Sequence, residues 1–119
     1  MNAVDEDIPP PTPEEERYLR FLREEKRVSP LTLRNYGHAL REFRKWRPQF
    51  AGWEELDAED FRDYLFDLMK REMGRSTIRL HFSALRGLYQ YLGHREDWEV
   101  NPLLEVQLPK AEKKLPVVL

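Results

Sequence analysis

The chain contains no cysteine, which excludes a disulfide framework, a zinc–thiolate centre and a thiol nucleophile, and fits a reducing cytoplasm. It has only five glycines and no alternating run of valine or isoleucine, which argues against a sheet. No apolar run approaches the roughly 18 residues of a membrane span. The N-terminus lacks the basic-then-apolar pattern of a signal peptide. His38, His81 and His94 have no metal-ligand spacing, and no ordered carboxylate set joins them. No nucleophile–base arrangement is visible, so no metal, cofactor or active site is expected in this chain. A large excess of one charge is missing too, with 22 acids against 20 bases.

What is present is one small soluble domain of 119 residues, 40% hydrophobic and 35% charged, with enough apolar content for a single core. Residues 1–11 are acidic and proline-rich and read as a flexible extension. Residues 12–108 read as four packed helices, an all-α bundle, and 109–119 as a basic, proline-bracketed linker. Thr12 with Pro13 starts the first helix, which should end near Arg27, and Ser29 with Pro30 starts the second, which Pro48 stops. Asp57 caps the third helix, and Gly74 reads as its C-terminal cap. Ser76 then caps a fourth helix ending at Gly93, and Pro102 opens a short turn through Val106. Trp46, Trp53 and Trp98 read as core or loop anchors.

The charge is unevenly distributed: +4 in 29–47 and +3 in 75–93 are separated by −5 in 48–74. In the fourth helix, Ile78, Phe82, Leu85, Tyr89 and Leu92 share one face, while Arg75, Arg79, Ser83, Arg86 and Gln90 share another. In the second, Leu33, Tyr36, Leu40 and Phe43 oppose Arg34, His38, Arg41 and Lys45. A charged helical face is ordinarily just a solvated surface. The fourth helix differs, because its three arginines repel one another with no acid between them. Such a stripe suits the phosphates and base edges of duplex DNA. Ser29, Thr32, Ser76 and Thr77 stand where free helix N–H groups could also grip a phosphate, although capping alone accounts for the serines. His81 lies beside the apolar face and reads as a packed, hydrogen-bonded residue. The carboxylates of 54–67 read as a solvated acidic helix, with contact to a basic partner as the alternative.

From Ser29 onward the pattern resembles the N-terminal, core-binding, SAM-like domain of tyrosine recombinases, of the Xer and phage-integrase type. The residues that carry the likeness are Ser29-Pro-Leu-Thr32, Tyr36, Leu40 and Phe43, then Ser76-Thr77-Ile78 and Ser83-Ala84-Leu85-Arg86. Leu88-Tyr89, Tyr91-Leu92, Asn101-Pro102, Leu108-Pro109-Lys110 and Lys114-Leu115-Pro116 complete it. The resemblance implies a four-helix bundle forming half of a C-shaped clamp on a recombination half-site, with helices two and four against double-stranded DNA. It implies a linker to a separate catalytic domain that holds the nucleophilic tyrosine, so this chain alone would not cleave. It also implies other recombinase protomers as partners, four per synapse, in the nucleoid-bearing cytoplasm. Its DNA-facing positions fall on Thr32, Arg34, Asn35, Ser76, Thr77, Arg79, Ser83 and Arg86, and its basic linker on Lys110, Lys113 and Lys114. Leu80-His81 depart from it, where relatives carry further basic residues, and so does the net acidity. Chromosome-dimer resolution, phage integration and element mobility stay open as the parent process. The rivals are a non-enzymatic helical module binding protein through its acidic helix, and a free-standing DNA-binding regulator.

Overall fold

Thr12 begins the first helix through a reciprocal cap: its hydroxyl accepts the Glu15 N–H at 3.1 Å while the Glu15 carboxylate accepts the Thr12 N–H at 3.2 Å. The computed structural model describes residues 8–109, and the described residues form helices and connecting loops with no strand. The helices are α1 (Pro13–Glu24), α2 (Pro30–Trp46), α3 (Ala58–Lys70) and α4 (Arg75–Arg95), with short 3-10 turns at Trp53–Glu55 and Pro102–Glu105. None is long and apolar enough to cross a membrane.

The α2 helix starts as its sequence requires, with the Ser29 hydroxyl accepting the Thr32 N–H at 3.1 Å and Pro30 in the first turn. Its buried side carries Ala39, Leu40 and Phe43. Phe43 is the hub of the core, stacked on Phe61 at 4.9 Å and on Trp53 at 5.5 Å, with Tyr64 edge-on at 5.0 Å. Trp46 packs against the same cluster, and Trp98 lies edge-on to Tyr89 at 6.2 Å, so all three tryptophans anchor as expected.

Three helix boundaries differ from the sequence expectation. The α3 helix is closed by a left-handed turn at Glu72, just past its C-cap Arg71, and not by Gly74. Glu72 takes a left-handed φ of 58°, its N–H reaches the Met69 carbonyl at 3.0 Å, and the Met73 N–H reaches Leu68 at 3.2 Å. Gly74, with an ordinary φ of −62°, is instead the N-cap of α4, and no side chain caps that helix. Ser76 therefore lies inside the first turn. At the other end α4 runs past Gly93 to Arg95, and Asp97 turns the chain with φ 58° so that the Trp98 N–H meets the Leu92 carbonyl at 3.2 Å. A third left-handed residue, Arg27, closes α1 with a matching bond from Val28 to Leu22 at 3.1 Å. Each of these three turns is closed by main-chain bonds around a non-glycine residue, which is why glycine placement misled.

The α4 helix packs most extensively on α2 and also touches α1 and α3. After it, the Asn101 side chain accepts the Leu103 N–H at 3.0 Å and opens the turn at Pro102–Glu105. Leu103 and Val106 are buried, so residues 102–109 form a strap laid across α3 and α4.

Candidate nucleic-acid interface

The outer face of α2 is the basic row its periodicity predicts. Arg34, His38, Arg41 and Lys45 are all exposed, and Thr32 and Asn35 are half-buried beside them. The Ser29 and Thr32 hydroxyls are tied together at 3.0 Å, which fixes the start of the row. His38 carries one edge of it toward α4, where its ring meets His81 edge-on at 6.3 Å. The row is not purely basic, because His38 Nε2 also lies 3.7 Å from the Glu42 carboxylate.

The outer face of α4 runs through Arg75, Ser76, Arg79, Ser83 and Gln90, all exposed, with Thr77 and Arg86 half-buried. No acidic residue occurs in α4. Two of its arginines have partners that sequence alone does not reveal. One Arg79 Nη donates to the Pro109 carbonyl at 3.0 Å, and one Arg86 Nη donates to the Val106 carbonyl at 3.0 Å. Arg62 of α3 adds a third such bond, to the Glu105 carbonyl at 3.1 Å. A carbonyl orients a guanidinium without cancelling its charge, so the stripe stays positive. These bonds also bring the end of the strap onto the stripe. Lys110, Lys113 and Lys114 lie outside the described residues.

Several acids of the segment between the two basic helices are engaged by their own surroundings. Asp57 and Asp60 cap α3 reciprocally, at 3.1 and 2.9 Å. Glu59 pairs with Arg62 at 2.7 Å, Asp67 with Arg71 at 3.0 Å, and Asp60 with Arg47 of α2 at 3.2 Å. Asp60 and Asp67 are consequently half-buried, and Asp63 is exposed. Among the described residues no cluster of histidine and carboxylate side chains could hold a metal ion.

His81 is buried on the inner side of α4, where its Nδ1 lies 3.2 Å from the Tyr64 hydroxyl. Burial, and then the neighbouring His38, pull its pKa below the usual histidine value. It is a packing residue, as its position beside the apolar face suggested.

Sequence reasoning missed a buried ion pair. Glu15 and Arg44 are almost completely enclosed, with Nε 2.8 Å from one carboxylate oxygen and 3.1 Å from the other. The Trp53 indole N–H donates to the same carboxylate at 3.1 Å, and Arg44 also donates to the Pro9 carbonyl. Burial pushes the Glu15 carboxyl up, opposed by Arg44 and by the bonds donated from Thr12 and Trp53. Removing one partner would strand a buried charge, so the pair fixes α1 against α2 more than it adds net stability. The signal was available, because Arg44 stands four residues after Leu40 and next to Phe43, within the buried arc and off the basic row.

The family described as phage integrase, N-terminal SAM-like domain, matches residues 16–96. The chain is similar to proteins called tyrosine recombinase XerC, at 32% identity over 103 residues for that of Shigella dysenteriae and 35% over 104 residues for that of Bacillus pumilus. These alignments cover 85% and 86% of this chain but 35% and 34% of the relatives, so the chain spans about a third of their length. No solved structure is significantly similar to it.

Proposed function

The chain belongs to the phage-integrase N-terminal SAM-like domain family, and on that premise we propose that it is the DNA-gripping, non-catalytic part of a site-specific tyrosine recombinase. It binds duplex DNA through the outer faces of α2 and α4. Arg34, Arg41, Lys45, Arg75, Arg79 and Arg86 contact phosphates, with Arg79 or Arg86 able to reach a guanine edge. Thr32, Asn35, Ser76, Thr77 and Ser83 set the register with short polar contacts, and His38 sits at the join of the two faces. Lys110, Lys113 and Lys114 extend the contact along the backbone as the chain leaves the bundle.

The observation that carries this reading is the α4 face, a 21-residue helix with three arginines on its outer side and no acid. Of the neighbouring α3 acids, Glu59, Asp60 and Asp67 are already engaged with Arg62, Arg47 and Arg71. Strand cleavage belongs to a catalytic region that the relatives' additional length accommodates. Work on paired sites, with further protomers and in the cytoplasm, follows from the family and is part of the same proposal. Contacts between protomers are best sought on the outer side of α3, where Phe66 is 65% and Met69 45% exposed.

The test is the affinity of the chain for a duplex of about 30 base pairs across a salt series. Several phosphate contacts give a log–log slope of several units, since each contributes about −0.9. Binding that ignores salt contradicts the proposal and favours a protein-binding role for the acidic helix.

A further inference from the structure

Two of the stripe arginines are also two of the three that hold the strap. Arg79 binds the Pro109 carbonyl and Arg86 the Val106 carbonyl, while Arg62, on the acidic helix, binds the Glu105 carbonyl. The strap is otherwise fixed by Leu103 and Val106, which are 2% and 3% exposed, whereas Leu104 between them is 80% exposed. Toward Pro109 it is half-buried at most: Leu108 packs partly on the core, and the guanidiniums of Arg86 and Arg79 hold the carbonyls on either side of it.

A main-chain carbonyl is a neutral acceptor, and a phosphate oxygen carries a full charge, so the same guanidinium binds phosphate more strongly. Each arginine has several N–H donors in a rigid fork, but Arg79 and Arg86 each spend one on the strap. A phosphate arriving on the stripe draws the guanidinium outward and weakens that bond. Arg62 is not exposed to this competition, because it is already paired with Glu59 at 2.7 Å.

We infer that Arg79 and Arg86 form a DNA-sensitive latch: without DNA they hold the carbonyls of Val106 and Pro109 against α4, and phosphate binding releases residues 107–109 while Arg62 and the buried Val106 side chain keep the root of the segment anchored. The latch rests on the proposed DNA-binding role of α4 and adds to it. The device also has a cost for affinity, since the strap competes with DNA for the same donors. Loosening the strap therefore strengthens DNA binding, a direction that a merely structural role for these arginines would not produce.

The experiment reads carbonyl carbon shifts of the 119-residue chain by NMR, with and without a 30-base-pair duplex at low salt. The Val106 and Pro109 carbonyls, seen through the next residue's amide, should move upfield on adding DNA, toward their positions in DNA-free Arg86→Ala and Arg79→Ala. The Glu105 carbonyl should stay in place. A second variant, Val106→Ala, should bind the duplex several-fold more tightly than the wild type once a melt has shown it folded. Three outcomes overturn the latch. If the duplex binds and the two arginine variants weaken it, but the carbonyls do not move, the interface stands and the latch falls. If Val106→Ala binds no better than wild type, the strap does not compete. If the arginine variants bind as well as wild type, the α4 reading itself fails and takes the latch with it.

Discussion

Helices α3 and α4 are neighbours in sequence, both amphipathic, and both carry a row of charge on the outer side, yet they dispose of that charge in opposite ways. On α3 the acids are used locally: two cap the helix, and Glu59, Asp60 and Asp67 each find a base within 3.2 Å. On the outer stripe of α4, Arg79 and Arg86 meet neutral carbonyls of the strap, and Arg95 at the far end of the helix meets an acid, Glu25 at 2.7 Å. Charge that is cancelled nearby contributes to the helix that bears it, and surface ion pairs of this kind are worth little beyond that. Charge that is oriented but uncancelled remains available to something outside the molecule. The difference separates a structural helix from a binding one more clearly than net charge does, which at −2 for the chain would have pointed away from nucleic acid.

The comparison can be sharpened first by breaking the packing of α4 while leaving its charge intact. A Cβ at Gly87 would collide with the buried Tyr18 hydroxyl, so Gly87→Ala should cost about 1–3 kcal/mol of stability despite alanine's better helix propensity. Tyr18→Phe should recover part of that loss, measured by denaturant unfolding of the single and double variants. Duplex affinity of the folded fraction should hardly change.

The reciprocal break is on α3. Asp57→Ala removes a cap and should lower stability by about 1 kcal/mol, with a matching drop in the melting midpoint and no change in DNA affinity. A loss of DNA binding in that variant would mean that the acidic helix takes part in the interface.

A smaller effect is expected from pH. Because the folded-state pKa of His81 is depressed, the unfolded chain takes up a proton more readily there as the pH falls below the ordinary histidine value. Its contribution is therefore present above about pH 6.5 and lost on acidification through that range. Glu25 and Glu96 are held below the usual carboxylate range by Arg95 and Arg17, so their contribution is lost only at more acidic pH. A melting series between pH 7.5 and 5, with His81→Gln as the flatter control, separates the two.

The fold was largely legible because its signals are local. Thr12-Pro13, Ser29-Pro30 and Asp57 each combine a capping side chain with helical periodicity behind it, and all three caps form. The errors came where backbone closure replaces side-chain chemistry. Glu72, Arg27 and Asp97 adopt left-handed turns that no residue preference announces, so Gly74 and Gly93 drew the boundaries to the wrong places. The outer rows of α2 and α4 were readable from spacing. Their partners were not, because Arg79 and Arg86 meet main-chain atoms 30 and 20 residues away, and a carbonyl leaves no mark in the sequence. The Glu15–Arg44 pair was missed on the acidic side only, since Arg44 falls within the buried arc of α2 but Glu15 looks like an ordinary first-turn acid until the packing encloses it.

The central claim is tested most directly by matched charge reversals on the two helices, Arg79→Glu with Arg86→Glu on α4, and Glu59→Lys with Asp63→Lys on α3. Each pair would be titrated with the same duplex across a salt series. The account predicts that the α4 pair lowers affinity by about a hundred-fold at low salt and flattens the log–log slope by roughly two units. It predicts that the α3 pair leaves the slope intact and binds at least as well as the wild type. Loss of binding in the α3 pair with retention in the α4 pair would contradict it.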